Sequence, residues 1–439
     1  MTHTILYEGH NLTLKTGTGI ATYGRMLAAT ARQLGHRTDL LTGINTSVGF
    51  RDPERNEIAF FDARPVRMTA YEFVVSIFQQ IYGLPFGIRL ARLGRSGTVV
   101  PQGYSAISDF ESVFVSPFLF DAARHHFNRH GRRATLRLGK RPDLFHATHP
   151  TPLRVKGRPN VYTLHDIVPL RLPYTTWDDK GYTLKLLKHL CRHADHIVTV
   201  SEFSRQDIIK FFGMDERRIS NTYQSVSIPP HLLAKTDDEI ADEVGTVFNL
   251  DYKEYFLFFG AVEPKKNVAR LIDAYALANT KRPLVIAGTL GWLYDDVVER
   301  INDERFLSYR IVGNTMVPQR QVRRLGYLTT EHLVALVRGA RAVCFPSLYE
   351  GFGLPVLEAM LLGTPVLTSN VSSLPEVAGD AAVLVNPLDV DEISRAIRTL
   401  DEDADLRAEL GRRGVLRAAA FSPERYRARI DQLYRSILG

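Results

Sequence analysis

The amino-acid sequence predicts an α/β protein of two doubly wound domains that face each other across a cleft. Three observations carry this. Short apolar runs alternate with helix-period segments along most of the 439 residues. The apolar runs lack the in–out alternation of a half-solvated sheet, which argues for buried parallel strands separated by helices. The alternation breaks off over residues 224–253, where Pro229-Pro230 and an acidic cluster (Asp237, Asp238, Glu239, Asp242, Glu243) stand, and then restarts. This sets one domain at 1–225 and a second at 250–422, each long enough to bury a core. A last helix at 423–439 is a candidate to pack back on the first domain. Ligands of such folds bind at the carboxyl ends of strands, where strand order reverses.

The elements follow in order. HTILYEG (3–9) reads as a strand, KTGTG (15–19) as a glycine-bearing turn, and IATYGRMLAATARQLG (20–35) as a helix with a glycine stop. RTDLLTG is a second strand. Residues 50–142 mix aromatic runs, proline and basic residues and read as irregular. DLFHAT (143–148), NVYTLHD (160–166) and HIVTVS (196–201) are strands, with helices expected at 176–193 and 202–212. Beyond the boundary, strands are expected in YFLFFG (255–260), PLVIAG (283–288), RRLGYL (323–328), RAVCFPS (341–347), TPVLTSN (364–370) and AAVLVNP (381–387), and helices at 391–400, 405–419 and 423–438.

Hydrophobic residues make up 45% of the chain and charged residues 23%. That balance excludes a disordered, collagen-like or disulfide-scaffold protein. The two cysteines, Cys191 and Cys344, sit in apolar segments and read as buried thiols in a reducing compartment. The start MTHTILYEGH has no basic, apolar and small-residue pattern of a signal peptide. No apolar run approaches the roughly 20 residues that span a bilayer; the best, 73–88, is interrupted by Gln79 and Gln80. The expected location is the cytoplasm, with peripheral attachment to the inner membrane face left open.

The net charge of +7 favours anionic partners. It concentrates in residues 122–142, which hold seven Arg or Lys and no Asp or Glu. This run reads either as a solvated loop or as a patch for an anionic surface such as a membrane. Few aromatics interleave it, so nucleic acid is not an expected partner.

The chemistry concentrates in FPSLYEGFGLPVLEAMLLGTPVLTSNVSSLPEVAG (345–379). A strand ends at Pro346-Ser347, a loop Glu350-Gly351-Phe352-Gly353 follows, and a helix starts near Leu354-Pro355, where proline suits the first turn. A strand–loop–helix of this kind aims free N–H groups and a positive helix end at one point, which suits an anion. Glu350 precedes the loop and Glu358 stands about one turn into the helix. One carboxylate is placed to meet a ligand near its phosphates, the other to accept hydrogen bonds from paired hydroxyls such as those of ribose. A plain strand–turn–helix with surface glutamates is the alternative.

The segment resembles the donor-binding signature of retaining glycosyltransferases of family 4, whose GT-B fold consists of two Rossmann-like domains. The resemblance extends to FFGAVEPKKNVARLIDAY (258–275), LVIAG (284–288), RLGYL (324–328), Gly363-Thr364-Pro365 and SSLPEVAG (372–379). In the first half it includes KTGTGIATY (15–23), VYTLHD (161–166) and ADHIVTVSEFSRQDI (194–208). It covers most of the chain outside residues 42–140. It implies that the first domain binds the acceptor and the second the nucleotide-sugar donor.

By the same resemblance, Glu358 binds the nucleotide ribose and Glu350 stands near the donor sugar and its phosphates. Gly351, Phe352, Gly353 and Leu354 turn N–H groups to the donor, and Lys266 contacts the diphosphate. Many relatives carry an arginine where this chain has Ala261, and Lys265 is the candidate to compensate. Gly17 and Gly19 match a loop facing the diphosphate, or form a plain turn. His165 matches a histidine near the reacting sugar, beside Asp166. The expected catalytic set is therefore His165, Glu350 and Lys266. His149 is a weaker candidate, and Ser201 reads as a helix N-cap.

No His/Cys cluster with ligand spacing and no D-x-D at a strand end is present, so neither a metal nor another cofactor is expected. The resemblance implies hexose transfer with retention, by a front-face route in which the leaving phosphate helps deprotonate the acceptor. The overall pattern resembles bacterial mannosyltransferases of surface polysaccharide assembly. That implies GDP-mannose as donor and a glycan or lipid-linked glycan as acceptor. Another UDP-, GDP- or dTDP-hexose, or a non-catalytic basic binding protein, stays open.

Overall fold

The computed structural model describes residues 1–12, 19–44, 57–58, 60–61, 87–94, 99, 107–312 and 315–439. Gly17 and nearly all of the apolar run 73–88 lie outside these residues.

The first lobe carries β1 (Thr4–Glu8), β2 (Arg37–Ile44), β3 (Ile88–Arg89), β4 (Ala91–Arg92), β5 (Ser112–Pro117), β6 (Ala134–Arg137), β7 (Leu144–Ala147), β8 (Leu153–Val155), β9 (Asn160–Thr163), β10 (His196–Thr199) and β11 (Ile219–Asn221). Eight of them form one sheet in the order β11-β10-β9-β7-β1-β2-β5-β4. It is parallel except where β4 runs antiparallel to β5. β3, β6 and β8 form a small parallel sheet beside it. The second lobe carries β12 (Phe256–Phe259), β13 (Leu284–Ala287), β14 (Leu307–Val312), β15 (Thr315–Arg320), β16 (Val322–Leu325), β17 (Ala342–Phe345), β18 (Val366–Ser369) and β19 (Ala382–Val385). Its main sheet is wholly parallel, in the order β16-β13-β12-β17-β18-β19. β14 and β15 form a separate antiparallel hairpin.

Every residue of β7, β9, β12, β13, β17 and β18 is buried. Helices cover both sheet faces, so these strands read as continuous apolar runs. In both main sheets the strand order reverses beside the first strand, between β1 and β7 and between β12 and β17. The loops leaving these four strands are where a ligand is expected.

Two sequence expectations need correction. The basic run is folded: it forms α1 (Leu119–His130) and β6, and Ala122, Ala123 and Phe127 enter the core. Arg133 is itself buried, its guanidinium 2.9 Å from the Tyr162 hydroxyl and 2.7 Å from the His193 carbonyl. It braces the lobe and is closed to any outside surface. The boundary segment also holds a helix, α2 (Asp237–Phe248), whose capping box joins Thr236 to Glu239. The acidic residues Asp237, Asp238 and Glu239 form its first turn, where they complement the helix dipole. Ile240, Val244 and Phe248 recur every four residues and bury one face of the helix.

The closing helix, α3 (Pro423–Leu438), packs on the first lobe. Its Tyr434 hydroxyl lies 2.8 Å from that of Tyr7 and 2.9 Å from His146 Nδ1. His146 Nε2 reaches Thr163 Oγ1 at 3.0 Å, and Tyr23 meets the same Oγ1 at 3.0 Å. Burial pushes His146 down to about 3, so the chain is one of neutral groups. Both cysteines are free and buried, with thiols pushed up to about 12 by burial. Among the described residues no helix is long and apolar enough to cross a membrane.

Candidate active site

The loop after β17 is shaped by where its carbonyls go. Ser373 Oγ lies 2.9 Å from the carbonyls of both Glu350 and Phe352, which share its one hydrogen, and Ser204 Oγ of the first lobe donates to that of Gly351 at 3.2 Å. With the carbonyls tied down, the N–H groups of Gly351, Phe352, Gly353 and Leu354 find no acceptor among the described residues. They form the open N-terminus of α4 (Leu354–Leu361), which has no side-chain cap.

Both glycines of the loop are needed. A Cβ on Gly351 would stand 2.6 Å from the His165 carbonyl and 3.1 Å from Asp166 Oδ2 of the other lobe. Gly353 has φ +105°, and a Cβ there would meet Leu374 Cδ2 at 2.7 Å. The start of a second helix, α5 (Gly19–Gln33), faces the first. A Cβ on Gly19 would lie 3.7 Å from Leu354 Cδ1, and the first turn of α5 holds no acidic residue. Two positive helix ends therefore meet in the cleft.

The loop after β12 adds charge. Lys266 Nζ lies 2.6 Å from Glu350 Oε1, with both side chains largely buried, and 4.8 Å from the centre of the Phe345 ring. The Lys265 carbonyl accepts the Leu348 N–H at 2.8 Å, which binds the two loops together. Burial alone would discharge Lys265, but Glu350, Asp166 and Glu263 outweigh it and hold its pKa above the usual lysine value. Burial likewise favours neutral Glu350, and Lys266 and Lys265 outweigh that, so Glu350 is held below the usual carboxylate range. Lys265, offered in place of the missing arginine, thus acts on Glu350 alongside Lys266. Glu358 differs: its half-buried carboxylate has no hydrogen-bond or ion-pair partner among the described residues, and burial pushes it up to about 7.

His165 leaves β9 toward the same place. Its Nε2 lies 2.9 Å from the Thr148 carbonyl, so Nε2 carries the hydrogen and Nδ1 is left with a lone pair. Burial pushes it down to about 4, which makes it a neutral imidazole. The Tyr23 ring meets it edge-on, centroids 4.8 Å apart. Asp166 Oδ1 accepts the Val168 N–H at 3.0 Å. Ser201 Oγ accepts the Ser204 N–H at 3.0 Å and is an N-cap. His149 is paired with the first strand, its Nδ1 2.6 Å from Glu8 Oε2. Glu8 was not singled out in the sequence; its only signal is its place as a charged residue ending the first buried strand. Among the described residues no three His, Cys, Asp or Glu form a group able to hold a metal ion.

A two-lobed cleft with N–H groups, helix ends and lysines gathered on one side can hold a phosphorylated ligand. The comparisons agree with that geometry. The family model described as Glycosyl transferases group 1 matches residues 246–417, and that of Glycosyltransferase Family 4 matches residues 87–226. O-antigen chain mannosyltransferase B of Escherichia coli is 38% identical over 273 residues, covering 60% of this chain and 67% of that one. This chain belongs to glycosyltransferase family 4.

The serotype-specific mannosyltransferase WbdA of Escherichia coli is 27% identical over 351 residues; the match covers 74% of this glycosyltransferase and 41% of WbdA. Among solved structures, Anabaena HepE in complex with UDP and glucose aligns with TM-score 0.65 at 17% identity, over 99% of this chain and all of HepE. The glycosyltransferase WaaG aligns with TM-score 0.57 at 14% identity, over 99% of this chain. These likenesses establish the GT-B fold.

Proposed function

We propose that this glycosyltransferase moves a mannosyl group from GDP-mannose onto a growing surface polysaccharide, with retention of the anomeric configuration. The observation that carries the donor half is the meeting of the α4 and α5 N-termini beside Lys265 and Lys266, with unpaired Glu358 one turn away. Relatives named as O-antigen mannosyltransferases support the sugar and the pathway class.

In this reading the diphosphate lies on the open N–H groups of Gly351 to Leu354, and Glu358 accepts the ribose hydroxyls. As the bond from sugar C1 to phosphate oxygen breaks, the leaving diphosphate gains charge, which Lys266, Lys265 and the helix ends stabilise. The acceptor oxygen bonds to C1 on the same face, and its proton passes to the leaving phosphate. Glu350 is held by Lys266 and positions that lysine. His165, neutral, offers its Nδ1 lone pair to a sugar hydroxyl.

Charge neutralisation by these groups predicts turnover in the presence of EDTA. The test is NMR of the product formed from GDP-mannose and α-mannobiose in EDTA. An α-linked product is expected. A β-linked product, or turnover only with UDP- or dTDP-hexoses, would contradict the reading.

The acceptor reading extends to a lipid-linked glycan at the inner membrane face, supported by the exposed cations Arg129, Arg132 and Arg137. Neutralising these three lowers binding to anionic vesicles; unchanged binding refutes the membrane contact.

A further inference from the structure

The first lobe holds a charge pair that donor binding leaves unused. Glu8 ends β1 where the strand order of the first sheet reverses, and its carboxylate is fully buried. A buried carboxylate survives only when paired and hydrogen-bonded. Oε2 lies 2.6 Å from His149 Nδ1 and 3.4 Å from Thr148 Oγ1, and Oε1 accepts the His10 N–H at 2.5 Å.

This arrangement is one-sided. With Nδ1 committed to Glu8, the Nε2 edge of His149 belongs to the outer part of the pair, and the His149 side chain is 20% exposed against none for Glu8. The His10 ring lies 5.7 Å from that of His149 and packs edge-on against Phe120 at 4.6 Å. The residue before His149 supplies the carbonyl that fixes His165. The cluster is therefore one residue removed from the group that faces the donor loop. Charged or titratable neighbours are Glu8, His10, His165 and Asp121. Burial works against the charged ring, but Glu8 outweighs it and holds His149 above its ordinary value, which favours an N–H on the outer edge. An imidazole edge held in place by a carboxylate, a second imidazole and an aromatic ring side by side suit a sugar, whose hydroxyls need fixed polar partners and whose C–H face needs an apolar one.

We propose that His149, His10 and Phe120, with Glu8 positioning His149, form the subsite for the acceptor sugar ring. The proposal rests on the glycosyltransferase reading and deepens it.

The probe is methyl α-D-mannopyranoside, followed by saturation-transfer NMR on enzyme loaded with GDP. His149→Gln and Phe120→Leu are compared with wild type, and the GDP-induced shift in Tm serves as the donor control. Expected is saturation of the sugar by wild type, reduced at least fivefold in both variants, with the GDP shift unchanged. In turnover, His149→Gln raises the acceptor KM at least tenfold and leaves the donor KM within twofold. Equal saturation in wild type and His149→Gln overturns the subsite and leaves a structural ion pair. A wild type that shows the GDP shift but no saturation of the sugar overturns the subsite alone. A wild type with no GDP shift overturns the donor reading as well.

Discussion

Lys266 and Glu350 are close enough, and buried enough, that neither can be changed without consequence for the other. Lys266→Ala leaves a buried carboxylate without its partner and should destabilise the protein by about 3 kcal/mol. Lys266→Met combined with Glu350→Gln removes both charges and should recover most of that loss in denaturant titration, while activity stays at least ~100-fold down. Recovery of activity with stability would mean that the pair only braces the loop. Glu358 predicts a pH effect of opposite character. Its folded value of about 7 lies above the ordinary 4.5, so its burial costs nothing below pH 4.5, costs progressively more up to 7, and costs most above that. Glu358→Gln should therefore be more stable than wild type by ~1–2 kcal/mol at pH 8, with the gain fading toward pH 5. Glu350 and Glu358 were singled out in the sequence by the strand–loop–helix that carries them and by the family resemblance of that segment. Glu8 was not, because a lone acidic residue at a strand end has no spacing to mark it, and its partner His149 is 141 positions away.

At the scale of elements, the Glu350–Gly353 loop is tied to the first lobe by a side chain beside Glu350. The Tyr349 hydroxyl donates to Asp207 Oδ2 at 2.5 Å, and Asp207 also pairs with Arg171. Glu376 reaches across to accept the N–H groups of Glu202 and Phe203 at 2.8 and 3.0 Å, capping the Glu202–Phe212 helix from the opposite lobe. Trp292 Nε1 donates to the Thr175 carbonyl at 2.7 Å. Glu376→Ala should cost about 1 kcal/mol, the usual worth of a cap, and speed hydrogen exchange at the Glu202 and Phe203 amides. Unchanged exchange there would show that the lobes do not keep this contact in solution. Such trans contacts leave no trace in local sequence, whereas the buried strands do. YFLFFG, RAVCFPS and TPVLTSN gave β12, β17 and β18 because uninterrupted apolar runs persist in a sheet covered on both faces. The Asp237–Phe248 helix was missed although Thr236 and Glu239 spell its capping box, because charge and proline nearby masked an apolar stripe of three residues.

Across the whole molecule, the chain ends by returning to the lobe where it began. The Pro423–Leu438 helix buries Tyr426, Ile430, Leu433 and Tyr434, and its Tyr434 hydroxyl completes the polar chain from Tyr7 to His146. Tyr434→Phe leaves the His146 nitrogen unpaired and should destabilise by ~1–2 kcal/mol, with faster exchange concentrated in β1 and β7. The strand-order reversal points of the two sheets face each other, with the open N–H groups, helix ends and lysines proposed to hold the donor on one side and the Glu8–His149 pair on the other. Thermal-shift measurement of nucleoside diphosphates and nucleotide sugars, without added metal, on wild type and Glu358→Ala tests this arrangement most directly. The account predicts that GDP and GDP-mannose raise the Tm of wild type and that Glu358→Ala abolishes the shift. No shift with any nucleotide, or a shift that survives Glu358→Ala intact, would contradict it.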